Sequence, residues 1–254
     1  MKKQLSYISN RHLTKCISNL HNSYLEAQSK IDKSRFYRNK IDTFKLLFDS
    51  NFAQIDEKML IKAEISRQID KSVNNAIGYF HEEILGGING YQQYHLSGYD
   101  IKADDNSLFA DIKNKHNTMN SSSSESLFWK LKNIAEKHPK AKCYWVQILA
   151  KNSFCEKWEA TINGKKYSHN RVFKISGDKF YSLLSGKSDA LFQLYQALPK
   201  AISDFIKQNN IHAETNRHSV LTEILKEISL SKKSILDQIT SDNFDYYDGF
   251  DKLK

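Results

Sequence analysis

The chain has 254 residues, 40% of them hydrophobic, with 38 Lys and Arg against 29 Asp and Glu, a formal net charge of +9. That length buries a sizeable core without staples, and three cysteines (Cys16, Cys143, Cys155) without Cys-x-x-Cys spacing argue against a disulfide framework and a structural zinc site. No apolar run reaches the ~18 residues of a membrane span and the N-terminus lacks a signal-peptide pattern, so a cytoplasmic protein without a membrane partner is expected; the positive charge favours a polyanion such as nucleic acid, although Lys-rich chains without one are common.

Two prolines (Pro139, Pro199) and nine glycines leave little room for a long linker. The expected organisation is a helical N-terminal extension over 1–70, a core over 71–200 and a helical C-terminal region over 201–254, together one compact unit. Between Asn19 and Ser50, apolar residues recur at spacings near three and four, the mark of helices. Asp56 can cap a helix through Ile61, Ile65 and Ile69, and a further stripe (Val73, Ile77, Phe80, Ile84, Leu85) closes at Gly86 and Gly87. Two extended runs, Ser97 to Lys102 and Ser107 to Lys113, flank the polar turn Ala103 to Asn106 and predict a hairpin. Ser122 and Glu125 have capping-box spacing ahead of a helix carrying Leu127, Phe128, Leu131, Ile134 and Ala135. Cys143 to Ala150 reads as a central strand covered on both faces, Arg171 to Ile175 as another strand, Ser176 to Leu184 as a short helix, and Ser188 to about Thr240 as helical. This order predicts an α/β core with a mixed sheet.

The chemistry-bearing segment is Gly98-Tyr99-Asp100 followed, after ten residues, by Asp111-Ile112-Lys113. Side chains alternate along a strand, so Asp111 and Lys113 share one face while Leu108, Ala110 and Ile112 take the other, and the hairpin brings Asp100 beside them. Two converging carboxylates repel, and burial worsens this. A divalent cation resolves the repulsion; Mg²⁺ takes oxygen ligands, polarises a phosphodiester and acidifies a water that Lys113 can orient. Glu82, or its neighbour Glu83, adds a carboxylate from the preceding helix. Asp56-Glu57-Lys58 also satisfies Asp-x-Lys but reads as a solvated helix start, whereas Asp111-Ile112-Lys113 lies on a strand with an acid across a turn.

The order of Gly78-Tyr-Phe-His-Glu82, Asp100, Asp111-Ile-Lys113, a helix and the strand Cys143 to Ala150 resembles the PD-(D/E)xK nuclease superfamily. More narrowly, His81-Glu-Glu-Ile-Leu-Gly-Gly87, the run from Phe109 through Lys113 to Ser124, Tyr144-Trp-Val-Gln147 and Ile175-Ser-Gly-Asp-Lys-Phe-Tyr181 resemble type II restriction endonucleases that cleave GGNCC or GGWCC. The similarity covers about Ser72 to Pro199. Tyr99 stands where the superfamily pattern has proline. The resemblance implies a restriction-endonuclease-like core and a Mg²⁺-dependent enzyme that cuts both strands of double-stranded DNA, leaving 5′-phosphate ends. It also implies Asp100, Asp111, the Ile112 carbonyl and Glu82 as metal ligands and Lys113 as the water-positioning group. A homodimer matches a palindromic target, and a DNA methyltransferase encoded nearby, not a stable partner, would accompany such an enzyme.

Lys115, His116, Asn117, Asn120, Ser121 and Ser122 follow the candidate catalytic strand, where a polar loop can contact phosphates and base edges; the other reading is a serine loop that caps the next helix. His169, Asn170 and Arg171 belong to a basic stretch that suits major-groove readout or an ordinary surface loop. His81, His95 and His116 lack metal-ligand spacing, and Asp242, Asp245, Asp248 and Asp251 do not form an EF-hand loop. A DNA-binding protein without catalysis and a repair nuclease or junction resolvase remain the alternative readings.

Overall fold

The structure, a computed structural model, describes residues 4–94, 98–117, 119–211, 217–231, 234 and 237–240. His95, Ser97 and the four aspartates from Asp242 onward lie outside the described residues. The elements are α1 (Asn10–Ser29), α2 (Lys33–Arg38), α3 (Thr43–Phe52), α4 (Glu57–Gly86), β1 (Tyr91–Gln93), β2 (Ile101–Ala103), β3 (Leu108–Lys115), α5 (Ser121–Lys137), β4 (Lys142–Leu149), β5 (Cys155–Ile162), β6 (Lys165–Ser176), α6 (Gly177–Ser185), α7 (Ala190–Gln208) and α8 (Arg217–Ser231). No helix among the described residues is long and apolar enough to cross a membrane.

The chain forms two compact units, Met1–Leu20 with Ala76–Ile211 and His21–Asn75 with His212–Lys254. The grouping is not linear along the chain: Leu5, Ile8, Leu13, Cys16 and Ile17 join the core of the sheet, far from them in sequence. The first unit holds a six-stranded mixed sheet in the order β1-β2-β3-β4-β6-β5. β1, β2 and β3 are antiparallel, β3, β4 and β6 are parallel, and β5 closes the other edge antiparallel to β6. Strand alternation divides the core. Leu108, Ala110, Ile112, Tyr144, Val146 and Ile148 pack with residues of α1, α4, α6 and α7 on one face. Phe109, Cys143, Trp158 and Val172 pack with Leu127, Phe128, Leu131 and Ala135 of α5 on the other. The expected central strand is β4, flanked by β3 and β6 with both faces covered.

The second unit is helical, built around Phe36, Ile41, Leu46, Ile61, Ile65, Ile69 and Ile224. Three aspartates start its helices: Asp32 accepts from Arg35 N at 2.7 Å, Asp42 from Lys45 N at 3.0 Å and Asp56 from Met59 N at 2.9 Å, each satisfying a donor that a helix leaves open.

Several expectations change. The two helices expected between Asp56 and Leu85 are one of 30 residues, since nothing between the two apolar stripes breaks the backbone ladder. The cap of α5 is Asn120, whose Oδ1 accepts from Ser123 N at 2.8 Å, so Ser122 lies in the first turn instead of before it. β6 begins at Lys165, six residues before the expected strand, because Asn163-Gly164, both at positive φ, turns β5 back onto it.

Candidate active site

β3 carries Asp111 toward α5, on the side of the sheet opposite Ala110 and Ile112, and Asp111 is 4% exposed. The β2–β3 hairpin pairs Ile101 with Ala110, which sets Asp100 one residue beyond the ladder. Its backbone stays tied in, Asp100 N donating to Ala110 O and Asp100 O accepting from Tyr94 N, both at 2.8 Å. The Asp100 side chain then accepts from the Ile112 amide at 2.6 Å. The sequence motif thus becomes a cluster because a carboxylate takes over the strand edge where backbone pairing has stopped.

Asp111 lies between two ammonium groups. Lys113 Nζ is 2.5 Å from Oδ1, a close ion pair. Lys130 Nζ, from α5, donates to Oδ2 at 3.0 Å. Gly98 makes room for it: φ there is +84, and a Cβ would stand 2.9 Å from Lys130 Cε. Glu82, 8% exposed near the end of α4, accepts from Gln93 Nε2 at 3.3 Å. Burial first, and then the charge of Asp100, push Glu82 up to about 7, against the Gln93 hydrogen bond and Lys113. Burial and the neighbouring Asp111 also raise Asp100, against the Ile112 amide and the two lysines. Burial alone would lower Lys113, but Asp111, Asp100 and Glu82 outweigh it and raise it. Three carboxylates and two lysines therefore sense one another in a partly desolvated site.

The structure brings Glu82, Asp100, Asp111 and Lys113 together. Glu83 faces elsewhere, its carboxylate accepting from Asn19 Nδ2 at 2.6 Å, whereas Glu82 is the glutamate that senses Asp100, Asp111 and Lys113. Sequence reasoning missed Lys130, Gln93 and Gln147. Gln147 pairs in register with Lys113 across β3 and β4 and is 7% exposed. Its signal was available: it is the polar interruption of the apolar run beginning at Cys143. Among the described residues, no three His, Cys, Asp or Glu side chains close around one point as a finished metal cage would. His81 is partly buried, hydrogen-bonded to the Tyr181 hydroxyl at 2.9 Å and lowered by burial to about 4.

The candidate DNA contacts fall in two places. Lys115 ends β3, the His116 amide continues the ladder onto Leu149 O at 3.1 Å, and Asn117, Asn120, Ser121 and Ser122 are exposed around the start of α5. His169, Asn170 and Arg171 lie within β6, not in a loop before it. Arg171 Nη2 donates to Ala135 O at 2.6 Å, so part of its guanidinium closes the last turn of α5.

A helix-flanked mixed sheet with acids and a lysine gathered on one hairpin defines a restriction-endonuclease-like α/β protein. A family model described as Eco47II restriction endonuclease matches residues 5–207. The chain is 36% identical over 251 residues to the type II restriction enzyme Sau96I of Staphylococcus aureus, covering 95% of this chain and 96% of that protein. It is 28% identical over 215 residues to the type II restriction enzyme Eco47II of Escherichia coli, covering 80% and 89%. The chain belongs to the Eco47II restriction endonuclease family and is a type II restriction endonuclease, a hydrolase that acts on DNA.

Proposed function

We propose that this enzyme is a Mg²⁺-dependent PD-(D/E)xK nuclease that cuts both strands of duplex DNA at a short palindrome of the GGNCC or GGWCC type and leaves 5′-phosphate ends. The observation that carries the reading is the convergence of Glu82, Asp100 and Asp111 on Lys113 in a partly desolvated site. The donor set fits a hard cation: it is all oxygen, it has more carboxylates than ammonium groups, and each carboxylate raises the cost of ionising its neighbours. Asp100, Asp111 and the Ile112 carbonyl would hold the ion, with Glu82 from the opposite wall. Because the N–H and C=O of one strand residue point to the same side, the Ile112 amide bonded to Asp100 supports a carbonyl facing the same edge. When bound, Mg²⁺ polarises the scissile phosphate and acidifies a water.

The protein's own groups do the rest. Asp100 and Asp111 would hold the cation and so keep the scissile phosphate in place. Lys113 orients the attacking water and stabilises the charge that develops on it. Gln93 holds the Glu82 carboxylate by its hydrogen bond. The exposed groups from Lys115 to Ser122 border the same strand and suit backbone and base contacts. A palindrome presents two equivalent half-sites, and a homodimer places one active site on each strand.

Digestion of phage DNA with the purified protein in Mg²⁺, followed by sequencing of the fragment ends, tests this. Discrete fragments whose ends share one short palindrome are expected, with none formed in EDTA. Undiminished cleavage in EDTA, or ends without a common sequence, would defeat the proposal.

A further inference from the structure

In the unit formed by His21–Asn75 and His212–Lys254, α4 places Glu64, Gln68 and Lys71 on one face at i, i+4, i+7 spacing, with Arg67 beside them. Glu64 and Gln68 are each only 7% exposed, unusual for such residues unless something holds them. A chain of hydrogen bonds does so. Asn39 Nδ2 donates to Gln68 Oε1 at 2.7 Å, Gln68 Nε2 donates to Glu64 Oε1 at 2.9 Å, and Glu64 accepts from Arg67 Nε at 2.6 Å and Nη2 at 2.5 Å. The chain ends on a guanidinium gripped along one edge. Guanidinium donors fan out in one plane, so the remaining N–H groups of Arg67 point away from Glu64.

Beside that seat lies a groove of about 350 Å³ whose lining includes Arg35, Lys40, Arg67 and Lys71 and, among the described residues, no Asp or Glu. Elsewhere in this unit Lys30, Lys33 and Lys45 each pair with an acid. Arg35 and Lys71 have no ion-pair partner among the described residues. Burying a glutamate to orient a half-exposed arginine gains little stability over an apolar pair. A fixed guanidinium flanked by two cations without an ion-pair partner among the described residues is instead the arrangement that receives phosphate oxygens, where planar donors bind two at once.

We propose that this groove clamps the sugar-phosphate backbone of duplex DNA, with Arg67 as the oriented donor and Arg35 and Lys71 as the flanking charges. The assignment rests on the endonuclease reading and adds to it a phosphate-binding site on the helical unit, away from any residue of the cleavage cluster in sequence. Every cation that neutralises a phosphate releases counterions, so each such pairing has a signature in the salt dependence of binding.

The test measures affinity of the full chain for a labelled duplex of arbitrary sequence, in EDTA, over a series of salt concentrations. The double variant Arg35→Gln/Lys71→Gln is expected to bind more weakly, with a log–log salt slope shallower by about two, roughly one for each phosphate no longer neutralised. Arg67→Gln should act in the same direction, and Arg67→Lys should recover part of the slope by restoring charge without the paired donors. Because Arg67→Gln leaves Glu64 buried without its partner, the surface double variant carries the test if that protein does not fold. Lys62→Gln, exposed and half a turn out of phase with Lys71 on α4, serves as the control. A double variant with the slope and affinity of the wild type and the control would overturn the groove assignment alone. A wild-type protein without salt-dependent affinity for duplex DNA would remove the endonuclease reading and the groove with it.

Discussion

Asp111 is 4% exposed and touched by Lys113 and Lys130 together, so its charge is neutralised from within the protein. A cation held there as proposed would have to displace ammonium groups from that carboxylate. Asp111→Asn, Asp100→Asn and Lys113→Gln are each expected to reduce cleavage by about 10²-fold or more while duplex binding persists, because they remove ligands or water positioning and leave other phosphate contacts in place. Wild-type turnover in any of the three, measured alongside a gel-shift assay, would refute its role. Lys130 is a different case. Its side chain is 37% exposed, so the ion pair is partly screened and worth no more than about 1 kcal/mol. Lys130→Met is therefore expected to tighten Ca²⁺ binding by up to about fivefold in calorimetry, the size of that lost competition. Unchanged or weaker Ca²⁺ binding would show that Lys130 does not compete with the ion.

At the level of elements, the hairpin and the helix that follows it were legible because their signals are local. The alternation from Leu108 to Lys113 assigns faces, and the structure divides the core along them. Edge strands were less legible. β1 is only three residues, two of them glutamine, and β5 alternates correctly but without an apolar run to announce it. The start of α6 adds a testable electrostatic element. Burial alone would raise Asp178, but the Ser153 hydroxyl, donating at 2.6 Å, and the Ser176 hydroxyl hold it below its ordinary value of 3.8. A carboxyl lowered on folding stabilises the native state above the unfolded value, and that contribution disappears as pH falls through the lower folded value. Acid denaturation of Asp178→Asn should accordingly be less steep between about pH 5 and pH 2 than that of the wild type. Superimposable acid limbs would mean that the capping charge contributes nothing.

For the whole molecule, the proposed oxygen-only ligand set and the +9 charge together would set how metal and DNA act on each other. Ca²⁺ can occupy the same oxygens with looser geometry and weaker acidification of water. A stable, uncleaved complex with cognate DNA is expected in Ca²⁺, converting to product when excess Mg²⁺ is added; Mn²⁺ should also support cleavage. A strict Zn²⁺ requirement would contradict the ligand assignment and return attention to the histidines.

The local sequence determined the α/β class, the hairpin that bears Asp100 and Asp111, and the pairing of Asp111 with Lys113, because strand alternation and turn chemistry act over a few residues. The family resemblance rested on that stretch together with the runs from His81, Tyr144 and Ile175. Only the tertiary structure decided that Glu82 and not Glu83 turns toward the site, since a helix face is chosen by what packs on it, and here Asn19 draws Glu83 away. Tertiary contacts alone also delivered Lys130 from α5, placed Leu5, Ile8, Leu13, Cys16 and Ile17 in the core of the sheet, and assembled Asn39, Gln68, Glu64 and Arg67 into one chain of hydrogen bonds. Each of these depends on groups separated in sequence meeting in a desolvated place, where the interaction energy is large and no local pattern records it.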